Sequence, residues 1–380
     1  MVGYGLIDCI IGGQIISAVS GGNISIVVGI VIVAFISWAV AVFGMAIFHA
    51  YERCALRSKH FDFPPYFLAF IFYPKILSNH RWAWIPQLVV LFVLVGSAGP
   101  RFDSTLSSSG SASTIAANPL SFFSLSLSVP VSWAAAASDF FVYYPETTPK
   151  WKPFLMTLLG LTLSFSMVNI LGIGLASGIG NDMQWNTAYN ISTGALIVAG
   201  YNGLAGFGKF CSVIVALGVI ANNIPGTYSA ALSFQMLGRF PKSIPRYWWA
   251  CFVVACYFVC AIAGRDHLFQ IFQNFLALMG YWITIFVTIV LEEHIFRWNI
   301  GFDWTAWEDQ NRLPIGYAAL TAFLVGWVGC ILSMYQVYYT GPIAKMVGDS
   351  GGDLGIWVGC SFALVTYPPL RLVEMMVLGR

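Results

Sequence analysis

The chain alternates between long apolar runs and short polar segments along its whole length. A helix needs roughly 20 mostly apolar residues to cross a bilayer. Runs of about this length predict ten membrane-spanning helices: 4–20, 25–48, 82–99, 116–144, 154–177, 206–236, 247–264, 268–291, 315–335 and 355–375. The fourth and sixth runs are long and contain proline or glycine, so we expect these two helices to be tilted or broken.

The composition places these runs in lipid. Hydrophobic residues make up 58% of the chain and charged residues 9%, whereas a soluble domain carries about 25% charged residues. This pattern excludes a disordered chain and a coiled coil, and the lack of a basic stripe excludes nucleic-acid binding. The sequence therefore predicts an all-α polytopic membrane protein, with 1–380 forming a single transmembrane domain in the lipid bilayer.

The basic residues predict the orientation of the helices. An even number of spans places both termini on one side, and cytoplasmic loops are enriched in Lys and Arg. Only four of the 18 Lys and Arg residues fall in loops of the opposite side: Arg101, Lys209, Arg265 and Lys345. We therefore expect both termini to be cytoplasmic.

The sequence shows no chemistry typical of an enzyme or a metal site. The eight cysteines form no CxxC pair and are not grouped with the five histidines, so they are interpreted as small core residues. Glu292-Glu293-His294 lacks the second histidine of a zinc-protease helix, and there is no GxSxG or Walker motif. We therefore predict no catalytic residue, no cofactor and no metal.

Polar side chains inside a predicted span are costly and indicate function by default. Tyr4 and Asp8 are four residues apart and therefore share a helix face. An aromatic ring one turn from an acid is suited to stack on a flat heterocycle and to hydrogen-bond to it. The alternative is that Asp8 lies in a frayed first turn near water.

Trp133 and Asp139 lie in the fourth predicted span, on either side of a run of alanines. Small residues between bulky ones are typical of close helix packing or of a thin-walled cavity. A tryptophan before this run and an acid after it favour a substrate cavity about as strongly as a packing face.

The sixth predicted span contains Asn222, Asn223, Pro225 and Gly226. We expect Pro225 and Gly226 to break the helix, and the two amides to form a hydrogen-bonding site beside the break. The alternative is a kink whose amides bond neighbouring helices. Glu52, at a predicted cytoplasmic helix end, is either a gating or proton-linked carboxylate or a snorkelling surface charge.

Several motifs extend over most of the chain. They lie at 49–52, 82–86, 204–211, 221–225, 293–294, 313–316, 334–336, 351–355 and 379–380, and at Trp133, Asp139, Tyr143 and Pro145. Together they resemble the nucleobase:cation symporter-1 family, in its fungal purine–cytosine permease branch. The resemblance implies a twelve-span transporter with a five-plus-five inverted repeat (LeuT-like) followed by two spans. It also implies proton-coupled uptake of purine- or cytosine-type nucleobases across the plasma membrane.

The resemblance assigns roles to individual positions. Trp133 matches the aromatic residue of the family's sixth span, on which the base stacks. Asn222 and Pro225 match the motif of the eighth span, which contributes to binding. Glu52 matches the family's acid and is expected to be gating or proton-linked, and Asp139 is expected to be either proton-linked or structural.

Three positions of the implied site depart from the family's pattern. Tyr4 stands where the family has Trp, Asp8 where it has Asn, and Gly226 where it usually has Asn. Tyr keeps a smaller stacking face, while Asp loses the amide donors and adds a charge. These changes leave a vitamin B6-like or other heterocycle as the alternative substrate.

Two further departures concern the chain as a whole. The first predicted span matches the family's third, so we expect the chain to lack the first two spans. The segment 54–81 has no counterpart in the family, and we expect it to be a cytoplasmic insert on the inner leaflet and a retained intron. The alternative of another class is therefore a non-transporting fragment or a membrane interaction protein.

Overall fold

The computed structural model describes residues 1–44, 84–107, 110–141, 144–145, 147–298, 301–303, 305, 313–348 and 351–378. These residues contain fourteen α-helices: α1 Val2–Val19, α2 Ile26–Ala39, α3 Trp84–Ala98, α4 Ala112–Ser132, α5 Ala137–Phe141, α6 Trp151–Gly178, α7 Met183–Ile191, α8 Thr193–Ala199, α9 Ala205–Gln235, α10 Arg239–Ser243, α11 Arg246–Gly264, α12 Leu268–Phe296, α13 Tyr317–Ser333 and α14 Gly355–Leu378. A short antiparallel ladder pairs β1 Tyr335–Gln336 with β2 Tyr339–Thr340, with Tyr335 opposite Thr340.

Each of the ten predicted spans coincides with a helix in the described part of the chain. Within the described residues, eight helical segments are long and apolar enough to cross a membrane. The third and ninth predicted spans correspond to two shorter apolar segments, Ile85–Arg101 and Tyr317–Ser333. The prediction of an all-α polytopic membrane protein is therefore confirmed. The inverted repeat, the orientation and the single domain stay predictions.

The two long spans differ from each other. The fourth is broken as predicted, because α4 ends at Ser132, a 3₁₀ turn covers Trp133–Ala135, and α5 begins at Ala137. The sixth is the single helix α9, with Pro225 inside it, so the predicted break there is wrong. A proline removes one backbone donor from a helix. The many remaining backbone bonds of this 31-residue helix keep it continuous.

The apolar pattern does not predict the short helices α7, α8 and α10, which lie in the loops between the spans. Two of them carry capping signals that would have indicated them. The carboxylate of Asp182 accepts the backbone N–H groups of Gln184 and Trp185 at the start of α7. The hydroxyl of Ser192 accepts the N–H of Ala195 at the start of α8.

The chain forms two compact units, Met1–Leu106 with Ile170–Leu268 and Ser107–Asn169 with Phe269–Arg380. In the first unit α1 is central and packs against α2, α8, α9 and α11. Small residues allow this close packing. For example, a Cβ atom on Gly29 would lie 2.7 Å from the Cα atom of Gly13.

In the second unit, α12, α13 and α14 surround a core of their own. Buried apolar residues from all three helices meet there, among them Tyr281, Ile285, Ala322, Cys330 and Ala363. The β1–β2 hairpin lies between α13 and α14 in the chain. This unit therefore has an interior that does not depend on the first.

The surface of the longest helices is apolar. In α6, only 6% of the spanning segment is buried, and large side chains such as Phe154, Met156 and Ile170 are exposed. A helix of this length with an apolar exterior is suited to lipid. The protein is therefore an integral membrane protein.

Candidate functional site

Two of the predicted site residues meet between α1 and α9. The Nδ2 atom of Asn222 donates a hydrogen bond to Oδ2 of Asp8 over 3.0 Å, although the residues are 214 positions apart in the chain. Asp8 lies in the second turn of α1, not in a frayed first turn. The sequence indicated both residues separately, and the structure shows that they form a pair.

The carboxylate of Asp8 is not neutralised by any cation in the described part of the chain. Its one hydrogen bond comes from the amide, whereas a carboxylate offers about four lone-pair sites. The side chain of Asn222 is exposed. An acid inside a spanning helix that lacks a cationic partner is costly and is by default a functional group. The pair is therefore suited to receive hydrogen-bond donors or a positive charge.

Asn223, the neighbour of Asn222, has different surroundings. It is only 2% exposed, and its Nδ2 atom donates to Sγ of Cys9 over 3.7 Å. A Cβ atom on Gly5 would lie 2.9 Å from Oδ1 of Asn223 and 2.8 Å from the ring of Tyr257. Asn223 is therefore enclosed in the packing of α1, α9 and α11, while Asn222 remains accessible.

Thr227 extends this packed region along α9. Its hydroxyl donates to the backbone oxygen of Asn223 over 2.9 Å and lies 3.4 Å from the hydroxyl of Tyr257. Both Thr227 and Tyr257 are buried. These buried polar contacts therefore form a framework behind the Asp8–Asn222 pair, and they join α9 to α1 and to α11.

Tyr4 and Gly226 lie one helical turn from the pair. Tyr4 precedes Asp8 by four residues on α1, and Gly226 follows Asn222 by four residues on α9, so each shares a helix face with its partner. None of the described residues crowds Gly226, because the nearest of their atoms to a Cβ there would be Sδ of Met1, 4.0 Å away. This surface therefore has room beside the amide.

Trp133 and Asp139 lie in the second unit, at the break of the fourth span. Trp133 is half-buried and begins the 3₁₀ turn after α4, and Asp139 is partly buried in α5. Ala136, between them, is buried. The run of alanines therefore coincides with a helix break, and the stacking role of Trp133 stays a prediction. Glu52 and the segment 54–81 lie outside the described residues.

Sequence reasoning missed two polar clusters of the second unit, of which only some members lie in the family motifs. In the first, Asp353 is 3% exposed. Its Oδ2 atom accepts the Tyr281 hydroxyl over 2.7 Å and Nε2 of Gln336 over 3.0 Å. Its Oδ1 atom accepts the backbone N–H of Gly355 over 2.8 Å. Burial raises the pKa of Asp353 above its ordinary value, and these hydrogen bonds oppose the rise.

The second cluster joins α12 to α14. Arg371, with 3% of its side chain exposed, donates to both carboxylate oxygens of Glu293 over 3.0 Å and to Glu374 over 3.1 Å. Glu293 also accepts the Tyr367 hydroxyl over 2.8 Å and Nε of Arg297 over 2.6 Å. The charged groups of this cluster therefore compensate one another.

Glu374 connects this cluster to a third helix. Its Oε1 atom accepts the backbone N–H groups of Gly316 and Tyr317, at the first turn of α13, over 2.9 and 3.2 Å. Carboxylates satisfy the free N–H groups of a helix N-terminus well. The cluster of Glu293, Arg297, Tyr367, Arg371 and Glu374 is called the ion cluster below. The sequence signal for this cluster is an acid close to an arginine in or at the end of each of two apolar helices: Glu293 with Arg297, and Glu374 with Arg371.

The long apolar helices define a polytopic membrane protein. No family model matches the chain, and no solved structure matches it. The chain is 32% identical over 429 residues to the vitamin B6 transporter TPN1 of Saccharomyces cerevisiae, which covers 100% of the chain and 70% of that transporter. It is 32% identical over 389 residues to the purine-cytosine permease FCY21 of the same yeast, covering 100% of the chain and 68% of the permease.

A third relative comes from another fungus. The purine-cytosine permease fcyB of Emericella nidulans is 34% identical over 321 residues, which are 82% of the chain and 62% of that permease. The chain therefore belongs to the nucleobase:cation symporter-1 family, in its fungal purine–cytosine permease branch, and this prediction is confirmed. Permeases are transporters and not enzymes, which supports the non-enzymatic prediction at the level of the family.

Proposed function

We propose that the protein is a secondary active transporter that takes up purine- or cytosine-type nucleobases across the plasma membrane together with protons. The Asp8–Asn222 pair carries this proposal, because it presents hydrogen-bonding groups on an accessible surface between two spanning helices. Such groups are suited to the edge of a nucleobase. The names of the yeast and Emericella permeases support the same substrate class.

Each residue of the proposed site has a distinct role. Tyr4 stacks on the base, and Asp8 and Asn222 hydrogen-bond to its edge. Trp133 keeps the stacking role that its match to the family implies. Asn223 is a positioning residue, since its side chain is enclosed beside Cys9.

Four further residues have roles in the proposed transport. Pro225 and Gly226 shape the surface of α9 next to the amide. Glu52 gates the site or carries the coupled proton. Asp139 is a second candidate for the proton-linked carboxylate.

In this proposal both termini lie in the cytoplasm, and the ten spans form an incomplete version of the family's five-plus-five inverted repeat. Cysteine labelling from outside intact cells tests the orientation. A cysteine introduced at Lys345 should react with an impermeant maleimide, whereas one introduced at Lys242 should react only after the cells are permeabilised. The opposite result would reverse the proposed orientation.

A vitamin B6-like heterocycle is the second candidate substrate. It is favoured by Tyr4, Asp8 and Gly226, which differ from the family's usual residues at the site. The whole length of the chain is similar to the vitamin B6 transporter of yeast, at the same 32% identity as to the FCY21 permease.

Uptake by a yeast strain that lacks its own nucleobase and vitamin B6 permeases separates these candidates. Cells that produce the chain are given labelled cytosine, adenine or pyridoxine, with and without a protonophore. We expect base uptake that the protonophore abolishes. Uptake of pyridoxine alone would establish the second candidate. No uptake of any label, at a normal level of protein in the plasma membrane, would favour a non-transporting membrane interaction protein.

A further inference from the structure

We propose that Asp8 makes the site selective for amino-substituted heterocycles that bind in protonated form, in preference to their neutral oxo counterparts. Such a base presents a ring N–H beside an exocyclic amine, as in protonated cytosine or adenine. The oxo counterparts, uracil and hypoxanthine, present a carbonyl oxygen in place of the amine. This inference rests on the proposed transport function and deepens it.

Asp8 and Asn222 together offer a ligand more hydrogen-bond acceptors than donors. Asp8, when ionised, only accepts hydrogen bonds, and one of its lone-pair sites is filled by Asn222. The Oδ1 atom of Asn222 is a further acceptor, while one of the two amide N–H groups is already donated to Asp8. Acceptors therefore predominate on the surface that faces a ligand, which fits a ligand edge made of donors.

The surroundings of Asp8 also lack a positive charge among the described residues. The titratable side chains around Asp8 are Tyr4 and Cys9 on α1 and Tyr257 on α11, and all three are uncharged in their protonated forms. On α9 the nearest polar side chains are amides and a hydroxyl. Within the described residues, nothing supplies a positive charge to this carboxylate. A ligand that carries one proton would supply it.

The side chains packed behind the pair cannot rearrange to suit a different ligand. If Asn223 could rotate, its amide would serve a carbonyl group, but it is 2% exposed and is held by Cys9, with Gly5 and Tyr257 packed against it. An oxo base would thus place a carbonyl oxygen against a carboxylate with only one free amide N–H nearby. A polar group left unpaired in this way is rejected strongly.

The step involves only a proton and hydrogen bonds. The ring nitrogen of the base takes a proton from the outer solution and becomes N–H⁺. That N–H⁺ and the exocyclic amine then donate to the carboxylate of Asp8, in the two-point geometry that carboxylates favour. No covalent bond of the base forms or breaks other than this N–H bond.

Competition for uptake in the same yeast strain tests the inference. The unlabelled competitors are matched pairs, cytosine with uracil and adenine with hypoxanthine, and the label is cytosine. In the native chain, each amino base should compete at a concentration at least about tenfold lower than its oxo partner, as expected for a charge-assisted hydrogen bond. In Asp8→Asn, this ratio should fall to about one, because a neutral amide serves both edges.

Two control variants make the result specific to the charge of Asp8. Asp8→Glu keeps the carboxylate and should keep the preference for amino bases, with weaker uptake. Asp266→Asn removes an exposed acid in a loop and should behave like the native chain. The amount of each variant in the plasma membrane is measured by a fluorescent fusion, so that misfolding is not taken for lost selectivity.

Each outcome decides between the proposals. A ratio near one in the native chain, or an unchanged ratio in Asp8→Asn, would overturn the inference and leave transport intact. A lost preference in Asp8→Glu would also overturn it. If the native chain takes up no heterocycle at all, the proposed function itself fails, and the inference fails with it.

Discussion

The Asp8–Asn222 pair and the ion cluster differ in how the charge of their carboxylates is compensated. Both place charged side chains in apolar helices. In the ion cluster, Arg371 is nearly inaccessible, and its guanidinium bonds two carboxylates. At the pair, by contrast, Asp8 has one amide partner and no cation in the described part of the chain. Compensated charges therefore hold helices together, whereas we propose that the uncompensated charge of Asp8 serves a ligand.

The largest effect is expected from Arg371→Ala, which breaks the compensated side of the comparison. It leaves the buried Glu374 and the partly buried Glu293 without this arginine, and removing one partner of a buried ion pair costs about 3–5 kcal/mol. Thermal unfolding of the detergent-purified protein should show a large loss of stability. Arg265→Ala, in an exposed pair, is the control and should change little. Equal stability of the two variants would contradict a structural role for the ion cluster.

The next largest effect is expected from Gly5→Ala, which disturbs the framework behind the pair. The new Cβ would lie 2.8 Å from the ring of Tyr257, and overpacking costs about 1–3 kcal/mol. Gly226→Ala is the matched control on α9, where a Cβ has space. It should stabilise the helix by up to about 1 kcal/mol. If both variants unfold at the same temperature, the packing behind the pair is not tight.

A comparable effect, with a pH dependence, is expected from Asp353→Asn. An amide cannot accept the backbone N–H of Gly355 and both side-chain donors, so we expect a loss of about 1–3 kcal/mol. Because burial raises the pKa of Asp353 in the folded state, its contribution to stability is greatest below the unfolded pKa. It declines as the pH rises towards the folded pKa, and this decline should be absent in the variant.

The contribution of Asp103 to stability should change with pH in the opposite direction to that of Asp353. Hydrogen bonds from Thr105 and Asn181 lower the pKa of this exposed carboxyl. Its contribution is therefore present above the unfolded pKa and is lost as the pH falls through the folded pKa. Melting temperatures between pH 3 and pH 7 should separate Asp353→Asn from Asp103→Asn. Identical profiles would show that the burial of Asp353 does not govern its titration.

The smallest effect on stability is expected from Asn222→Ala, which tests the open side of the comparison. An exposed side chain contributes little, so the free energy of unfolding should change by less than about 0.5 kcal/mol. Uptake should nevertheless fall about tenfold, because a hydrogen bond to the base and the orientation of Asp8 are lost. Normal uptake in this variant would remove the pair from the proposed site.

The fold was largely predictable because hydropathy is a local property. Ten apolar runs predict ten helices, and the small residues after Trp133 correctly indicate a break. The wrong prediction, a break at Pro225, arose because the sequence shows that a backbone donor is missing but not how well the rest of the helix holds. The short helices α7, α8 and α10 lack an apolar run of sufficient length, so the hydropathy pattern does not reveal them.

The sequence by itself determined the membrane environment, the helices, the family and the identity of the polar residues, because each follows from composition or from a short motif. Only the tertiary structure decided which of these residues meet. It joined Asp8 to Asn222 across 214 positions and enclosed Asn223, its immediate neighbour. It also placed Arg371 between two acids. Whether a charge is compensated depends on contacts between distant helices, and local sequence does not encode that distance.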